Sequence, residues 1–389
     1  MVWTRNSPIG LDVGSRWIKA AQLRRAKGGA WELRAGLRVR RTGPGGPLTG
    51  DEAARIGAML SRQGFVGTDV VLSVPPGMLA QQVMELPPRQ SGAPLDQIAR
   101  TELARQARCP ANAMEACWWE LPSGARASEG THVMGLAVPH AAAETLIDAC
   151  RAGGLFVEAL DAPTLASARA CAGEQGLVAA GVTMLVDLGW TGATIALFVG
   201  DVLVYERRLD HAGLGQAFDQ LREKFELADD VASYLIEHVG VLQTPAPGAS
   251  GGVEAPEADD ARSLARAALL GEAREVIVQQ VHAVFTEVHA SQSYAQRRFA
   301  QAGAELTILM CGGGTSVPGL GELFRRELGM DAGAGRGLFR VCVPAECLPT
   351  PSPTELAEDP SLMQAIGLAM HPGAGAAQAV GAGVQGAHA

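Results

Sequence analysis

The sequence predicts an α/β fold of two related half-domains, with a small α+β unit inserted in the first half. Two segments carry this prediction. Residues 7–19, SPIGLDVGSRWIK, have the pattern of a strand, a turn with an acid and a glycine, and a returning strand. Residues 183–205, TMLVDLGWTGATIALFVGDVLVY, repeat that order later in the chain. The repeat of a strand–acid–glycine–strand unit predicts two similar halves that face a shared cleft.

The residues of the first turn suit the phosphates of a nucleotide. Gly14 lets the backbone approach a ligand closely, and the N–H groups of such a turn can face an anion. Ser15 can donate a hydrogen bond, and Lys19 supplies a positive charge. Asp12 can hold Mg²⁺ through its water shell, because that ion keeps several of its waters. An ordinary hairpin with an Asp-x-Gly turn also explains these residues.

Two further segments repeat or complete this chemistry. The second strand–turn–strand unit places an acid, a glycine and a hydroxyl in similar positions: Asp187, Gly189 and Thr191. Residues 305–319, ELTILMCGGGTSVPG, then lead from an apolar strand into a run of three glycines: Gly312, Gly313 and Gly314. Glycines at such a place let the backbone lie flat against a ring or phosphate of a ligand. The three segments together predict a nucleotide site between the halves.

These motifs resemble the ATPase superfamily that contains actin, sugar kinases and heat-shock chaperones. Within it, the chain is similar to the PilM proteins of type IV pilus assembly. The resemblance rests on IGLDVGSRWIKAAQL near the start, VVLSVPPGMLAQQVMELP at 70–87, a helix of the type DQIARTELARQARCP, and CGGGTSVPGLGELFRRELGM and DPSLMQAIGLAM near the end. It extends over about residues 8–371 and implies an actin-like fold.

The resemblance also implies a function, cofactors and a partner. It implies a cytoplasmic scaffold that binds ATP, with Asp12 and Asp187 holding Mg²⁺ through water and Gly312, Gly313 and Gly314 flanking the adenosine. PilM proteins bind the cytoplasmic N-terminal peptide of the inner-membrane protein PilN, near the inserted unit and the first half. This implies recruitment to the inner face of the inner membrane. The sequence does not identify the residues that contact the peptide.

Three alternatives stay open on the same fold. A small-molecule kinase with a sugar-like acceptor needs a carboxylate base, and the sequence places none beyond Asp12 and Asp187. A filament-forming FtsA-like protein would carry a C-terminal amphipathic membrane helix, which the Gly/Ala-rich end does not resemble. In the third, the fold persists as a scaffold without nucleotide binding. Because no such base can be placed, and because Trp190 stands where the superfamily favours a small residue, we expect slow or negligible ATP hydrolysis.

The sequence divides into five predicted parts. They are a first half-domain at 1–76 that returns at 156–180, an inserted unit at 77–155, a second half-domain at 181–371 with a flexible loop at 243–260, and a disordered tail at 372–389. Pro, Gly and acidic residues indicate the loop, and Gly and Ala indicate the tail.

Composition excludes several other classes of function. The formal net charge of -9 argues against nucleic-acid binding, which favours a basic surface. The seven cysteines show no C-x-x-C spacing, so they predict buried thiols rather than a zinc site or a disulfide framework. The start lacks a signal-peptide pattern, and no apolar run reaches the ~18 residues of a membrane span.

Overall fold

A computed structural model describes residues 6–26, 29–41, 45–122, 130–173, 176–177, 181–242, 260–299, 306–330, 338–348 and 355–372. The predicted loop at 243–260 and the predicted tail at 372–389 lie almost entirely outside these ranges. The described residues form two five-stranded sheets and one three-stranded sheet, with helices packed on them.

The first half is built on a mixed sheet with the strand order β3-β2-β1-β4-β8. The strands are β1 (Asn6–Val13), β2 (Trp17–Arg25), β3 (Trp31–Arg40), β4 (Asp69–Ser73) and β8 (Phe156–Asp161). The first three pair antiparallel, and β4 and β8 add in parallel. Helices α1 (Gly50–Arg62) and α3 (His140–Ala152) cover one face, where Ile56 and Cys150 are fully buried.

The second half repeats this arrangement with the order β11-β10-β9-β12-β13. Its strands are β9 (Val182–Leu188), β10 (Ala193–Val199), β11 (Val202–Leu209), β12 (Leu306–Cys311) and β13 (Leu338–Val341). Again three antiparallel strands are extended by two parallel ones. Its helices are α5 (Leu214–Phe225), α6 (Asp229–His238), α7 (Asp260–Phe299), α8 (Leu320–Glu327) and α9 (Pro344–Cys347). The shared order and strand directions confirm the predicted pair of related halves.

The inserted unit has a sheet and a core of its own. Its sheet runs β5-β7-β6, made of β5 (Ala80–Leu86), β7 (Thr131–Pro139) and β6 (Met114–Glu120), and α2 (Leu95–Ala107) packs on one face. The other face meets the second half, where Trp119 Nε1 donates to the Leu203 carbonyl at 2.9 Å. Helix α3 packs by Leu146 and Cys150 in the core of the first half, although the predicted boundaries of the inserted unit, 77–155, include it.

Two helices cross between the two large sheets. They are α4 (Pro163–Ala172) and α10 (Met363–Ala369). A Cβ on Gly367 would lie 1.7 Å from the Ala166 carbonyl oxygen, so α4 and α10 touch backbone to backbone. A Cβ on Gly10 would lie 1.9 Å from the Ala365 oxygen, so α10 also rests directly on β1. The crossing of these helices joins the two halves.

The helices of the second half differ from the predicted pattern in one place. The sequence predicts a helical stretch over 221–239, but α5 ends at Phe225, and the next residue, Glu226, adopts a φ of 51°. The Leu227 N–H then bonds back to the Arg222 carbonyl, and α6 begins as a separate helix. In α7, apolar residues recur at i, i+4, i+7 and i+11, a spacing that predicts a core stripe, and all four are buried: Ile277, Val281, Val284 and Val288. Every helix in the described ranges is too short or too polar to cross a lipid bilayer.

A candidate nucleotide site between the two halves

The first turn of the cleft is a tight hairpin between β1 and β2. Asp12 pairs with Lys19 and Val13 with Ile18 in the strand register. The Gly14 N–H donates to the Trp17 carbonyl at 3.0 Å, and a Cβ on Gly14 would lie 2.9 Å from that oxygen. The turn therefore requires glycine here, and it presents an acid and a lysine side by side at the cleft.

An arginine that lies outside the three sequence motifs supports this turn. Arg41 donates through Nη1 to the Gly14 carbonyl at 3.2 Å, and its N–H donates to the Arg16 carbonyl at 2.9 Å. Glu52 holds the guanidinium in a two-point ion pair, at 2.8 and 2.6 Å. Bidentate pairs of this kind fix orientation as well as charge. Arg41 follows the strand in an arginine-rich stretch, which gives no local signal of this role.

The second turn closes between β9 and β10. Asp187 ends β9 opposite Thr194, and the Gly189 N–H donates to the Gly192 carbonyl at 2.9 Å. The Thr191 hydroxyl accepts a hydrogen bond from Arg208 Nη2 at 3.3 Å. This turn repeats the geometry of the first one, with its acid at the same edge of the sheet.

The glycine run lies against the second turn. Gly312 has a φ of 92°, and a Cβ there would lie 2.2 Å from the Asp187 Oδ1 atom. A Cβ on Gly314 would lie 2.3 Å from Leu188 Cγ. Only glycine fits at these two positions, because the backbone rests directly on the end of β9. Gly313 is different, since the nearest atom to its Cβ position is Ser361 Cβ at 3.8 Å.

One cavity of about 970 Å³ contains all the predicted site residues. Its volume lies within the range of ordinary ligand pockets, roughly 300–1,000 Å³. The ten predicted residues that line it are Asp12, Gly14, Ser15, Lys19, Asp187, Gly189, Thr191, Gly312, Gly313 and Gly314. The structure therefore brings together three segments that are spread over about 300 residues of the chain.

The charges of the cavity are strongly coupled. Lys19 Nζ lies 2.5 Å from Asp12 Oδ2. Burial acts to lower the pKa of Lys19, but the charge and hydrogen bond of Asp12, together with the charges of Asp187 and Asp359, raise this pKa above its ordinary value. Burial raises the pKa of the Asp187 carboxyl, an effect that Lys19 opposes and Asp12 reinforces. The cleft thus holds two acids and a lysine, and burial in this site disfavours the ionised form of the Asp187 carboxyl.

Other polar residues of the cavity come from elements that the motifs do not mark. Glu206 and Arg208 lie on β11 on the same face as Asp187, and Thr164 lies in the first turn of α4. Burial raises the pKa of Glu206, and hydrogen bonds with Thr164 and Gln81 only partly offset this effect. In the sequence, only the alternation of residues along the strand indicates which face of the sheet carries the Glu206 side chain. That alternation does not indicate that the face lines a cleft.

Trp190 does not point away from the protein. Its ring packs edge-on against Phe218, with centroids 5.2 Å apart, and the Arg16 guanidinium lies 3.6 Å above the ring. The missing side chain of Gly215 makes room for it, because a Cβ there would lie 2.9 Å from Trp190 Nε1. The side chain is thus folded onto the start of α5, and it lines the cavity.

Five other residues that line the cavity, called its second arm below, come from the first half and the inserted unit. Met78, Leu79 and Gln106 line it from the side of the insertion, and Leu48 and Leu146 from the side of the first half. Of these five side chains, four are apolar and one, Gln106, is polar. His, Cys, Asp and Glu side chains in the described ranges form no cluster of three or more that could hold a metal ion.

Comparison with known proteins identifies the fold. The chain matches no protein-family model and no curated protein sequence. A solved structure of the PilM-PilN type IV pilus biogenesis complex superposes with a TM-score of 0.66 at 18% identity, over 94% of this chain and 98% of the other. The chain has the actin-like fold of PilM. The predicted fold and the predicted resemblance to PilM are therefore confirmed at the level of structure.

Two other solved structures resemble the chain over most of its length. The ethanolamine utilization protein EutJ from Carboxydothermus hydrogenoformans gives a TM-score of 0.49 at 14% identity, over 94% of this chain and 89% of that one. MreB 5 of Spiroplasma citri bound to AMPPNP gives 0.46 at 11% identity, over 98% and 99%.

Proposed function

We propose that the chain is a PilM-like scaffold protein that binds Mg·ATP in its cleft. The observation that carries this proposal is the meeting of both acid–glycine turns and the glycine run in one cavity. Lys19 and the N–H groups around Gly14 and Ser15 would hold phosphates from one side. Gly189 and Thr191 would hold them from the other, and Asp12 and Asp187 would bind Mg²⁺ through water.

The residues present fit this ligand. Gly312 and Gly314 let the backbone of the glycine run rest directly on the end of β9, and this backbone lines the cavity. The raised pKa of Asp187 means that a cation beside it would relieve an unfavourable charge. A ligand that contacts both halves favours the closed arrangement to the extent that it binds that state better.

The test of this site uses two matched variants. Asp187→Asn removes the charge in the cleft, whereas Asp201→Asn changes an exposed acid in the turn between β10 and β11. Mg·ATP should raise the melting temperature of the wild type and of Asp201→Asn by the same amount. The shift should be lost or much reduced in Asp187→Asn. An equal shift in all three proteins would contradict the proposed site.

We also propose that the second arm of the cavity binds the cytoplasmic N-terminal peptide of a PilN protein, at the inner face of the inner membrane. The support is the apolar lining shared by the first half and the insertion. Leu79→Glu should weaken binding of a labelled PilN N-terminal peptide by about tenfold or more. Val83→Glu, at an exposed site on the same unit, should leave it unchanged. If the two substitutions weaken peptide binding equally, the peptide does not bind in the second arm.

A small-molecule kinase remains the second candidate, and Glu206 favours it. Its carboxyl lies in the cleft on the face of Asp187, with a pKa raised by burial, as suits a general base. A kinase would release ADP from ATP only when a sugar-like acceptor is added, and Glu206→Gln would abolish that release. The scaffold proposal expects no acceptor-dependent ADP.

A further inference from the structure

One side chain of the first turn reaches across the cleft. Arg16 lies between Ser15 and Trp17 on the first half, and only 9% of it is exposed. Its Nη2 donates to the Ser233 hydroxyl on α6 at 2.6 Å. Its guanidinium carbon lies 3.6 Å from the ring centroid of Trp190 and 4.8 Å from that of Phe218. All three partners belong to the second half.

Contacts within the second half also hold these partners of Arg16 in place. The Ser233 hydroxyl donates to the Asp229 carbonyl at 2.5 Å, which leaves its lone pairs facing Arg16. The Trp190 carbonyl accepts from the Gly215 N–H at 2.7 Å, and its ring rests on Phe218. A planar guanidinium can stack on an aromatic face and donate in its own plane at once, which an ammonium cannot do.

No ion pair explains the position of the Arg16 guanidinium. No carboxylate in the described ranges lies within ion-pair distance of its guanidinium. Burial, with help from Arg40 and Arg38, lowers the pKa of Arg16 to about 10, while Glu237 and Asp229 oppose the change. The side chain is therefore charged at neutral pH and is held by stacking and one hydrogen bond.

We propose that Arg16 is a latch that holds the two halves together across the cleft. The crossing of α4 and α10 joins the halves at the sheets, and the latch adds a contact from the first turn to α6 and to the Gly189–Gly192 turn. Trp190 is the surface that receives the latch, which accounts for a large residue in a turn expected to carry a small one. This inference concerns closure of the protein and holds whether or not the cleft binds a nucleotide.

Hydrogen exchange of the full chain tests the latch, with a matched arginine as control. Arg25 stacks on Trp31 at the same 3.6 Å, but both residues belong to the first half. In Arg16→Ala, amides of α6 and of the 189–192 turn should exchange roughly tenfold faster than in the wild type. Arg16→Lys keeps the charge and should also exchange faster, because it cannot stack in the same way. Arg25→Ala should leave both segments unchanged.

Two results would overturn the latch. One is that the amides of α6 and of the 189–192 turn exchange at the wild-type rate in Arg16→Ala. The other is that Arg25→Ala increases the exchange rate of these amides as much as Arg16→Ala does. If Arg16→Ala does not fold, Ser233→Ala removes only the hydroxyl that accepts from Nη2 and should still speed exchange in the same two segments. Adding Mg·ATP separates the proposals: wild-type protein that gains no protection from ATP counts against the nucleotide site, while the latch is judged on the ligand-free samples.

Discussion

Lys19 Nζ and Asp12 Oδ2 lie 2.5 Å apart across the first hairpin, with 15% and 7% of their side chains exposed. Each charge is satisfied by the other in a place that water hardly reaches. Removing one partner leaves the other buried and unpaired, which costs more than the pair itself contributes. This pair therefore determines how the site can be tested by mutation.

We expect Lys19→Met to destabilise the protein by about 3–5 kcal/mol, because Asp12 loses its partner. The double variant Asp12→Asn/Lys19→Met removes both charges and should recover most of that loss. Urea unfolding at pH 7 measures both free energies. If the single and double variants are equally unstable, the ion pair does not carry this energy.

The pH dependence of stability should report on Asp187. Burial raises the pKa of its carboxyl in the folded protein above the ordinary 3.8, so the folded state holds this proton more tightly than the unfolded state. Its contribution to the free energy of unfolding therefore falls as pH rises from about 3.8 through the folded pKa. Asp187→Asn lacks this loss and should be more stable at pH 7 by about 0.5–2 kcal/mol. Unfolding of the variant and wild type across pH 4–8 gives the difference, and a destabilised variant at pH 7 would contradict the sign.

The glycine run offers a matched pair of substitutions. Gly312→Ala places a methyl group 2.2 Å from Asp187 Oδ1 on a backbone with φ of 92°, so it should cost more than about 2 kcal/mol. Gly313→Ala meets its nearest atom at 3.8 Å and should change stability little. Thermal unfolding of both compares them directly. Equal stability would mean that the run does not rest on β9 as described.

The crossing of α4 and α10 makes a similar prediction for the joint between the halves. Gly367→Ala forces a methyl group to within 1.7 Å of the Ala166 carbonyl, so the helices must separate and the variant should lose at least about 3 kcal/mol. Gly271→Ala, within α7, has no atom near its Cβ position and should gain up to about 1 kcal/mol from helix propensity. Chemical unfolding curves of the two variants should therefore shift in opposite directions. A shift in the same direction would contradict this packing.

Much of the site follows from local sequence. An acid, a glycine and a hydroxyl between two apolar strands make the same hairpin at Asp12 and at Asp187, because the turn depends on neighbouring residues. The position of the glycine run at the site could be predicted from local sequence for the same reason. Repetition of the unit then implies two halves, and the cleft between them follows.

Contacts between distant segments could not be read from the sequence. Nothing near Arg16 indicates that it reaches Ser233, 217 positions later, and nothing near Arg41 indicates that it supports the first turn. The short strand β13 has only four residues, LFRV, which are too few to show a strand pattern in the sequence. The end of α5 depends on Glu226, which adopts a left-handed conformation although it is not the glycine that usually indicates such a helix end. Each of these features is determined by tertiary packing rather than by local preference.

The most direct test of the account is a calorimetric titration of the wild-type protein with Mg·ATP, with phosphate release followed in the same samples. A nucleotide-binding scaffold predicts saturable binding with one ATP per chain and phosphate release far below about 1 s⁻¹, the lower end of ordinary enzyme turnover. Absence of binding at millimolar ATP, or turnover within roughly 1–1,000 s⁻¹, would contradict the account.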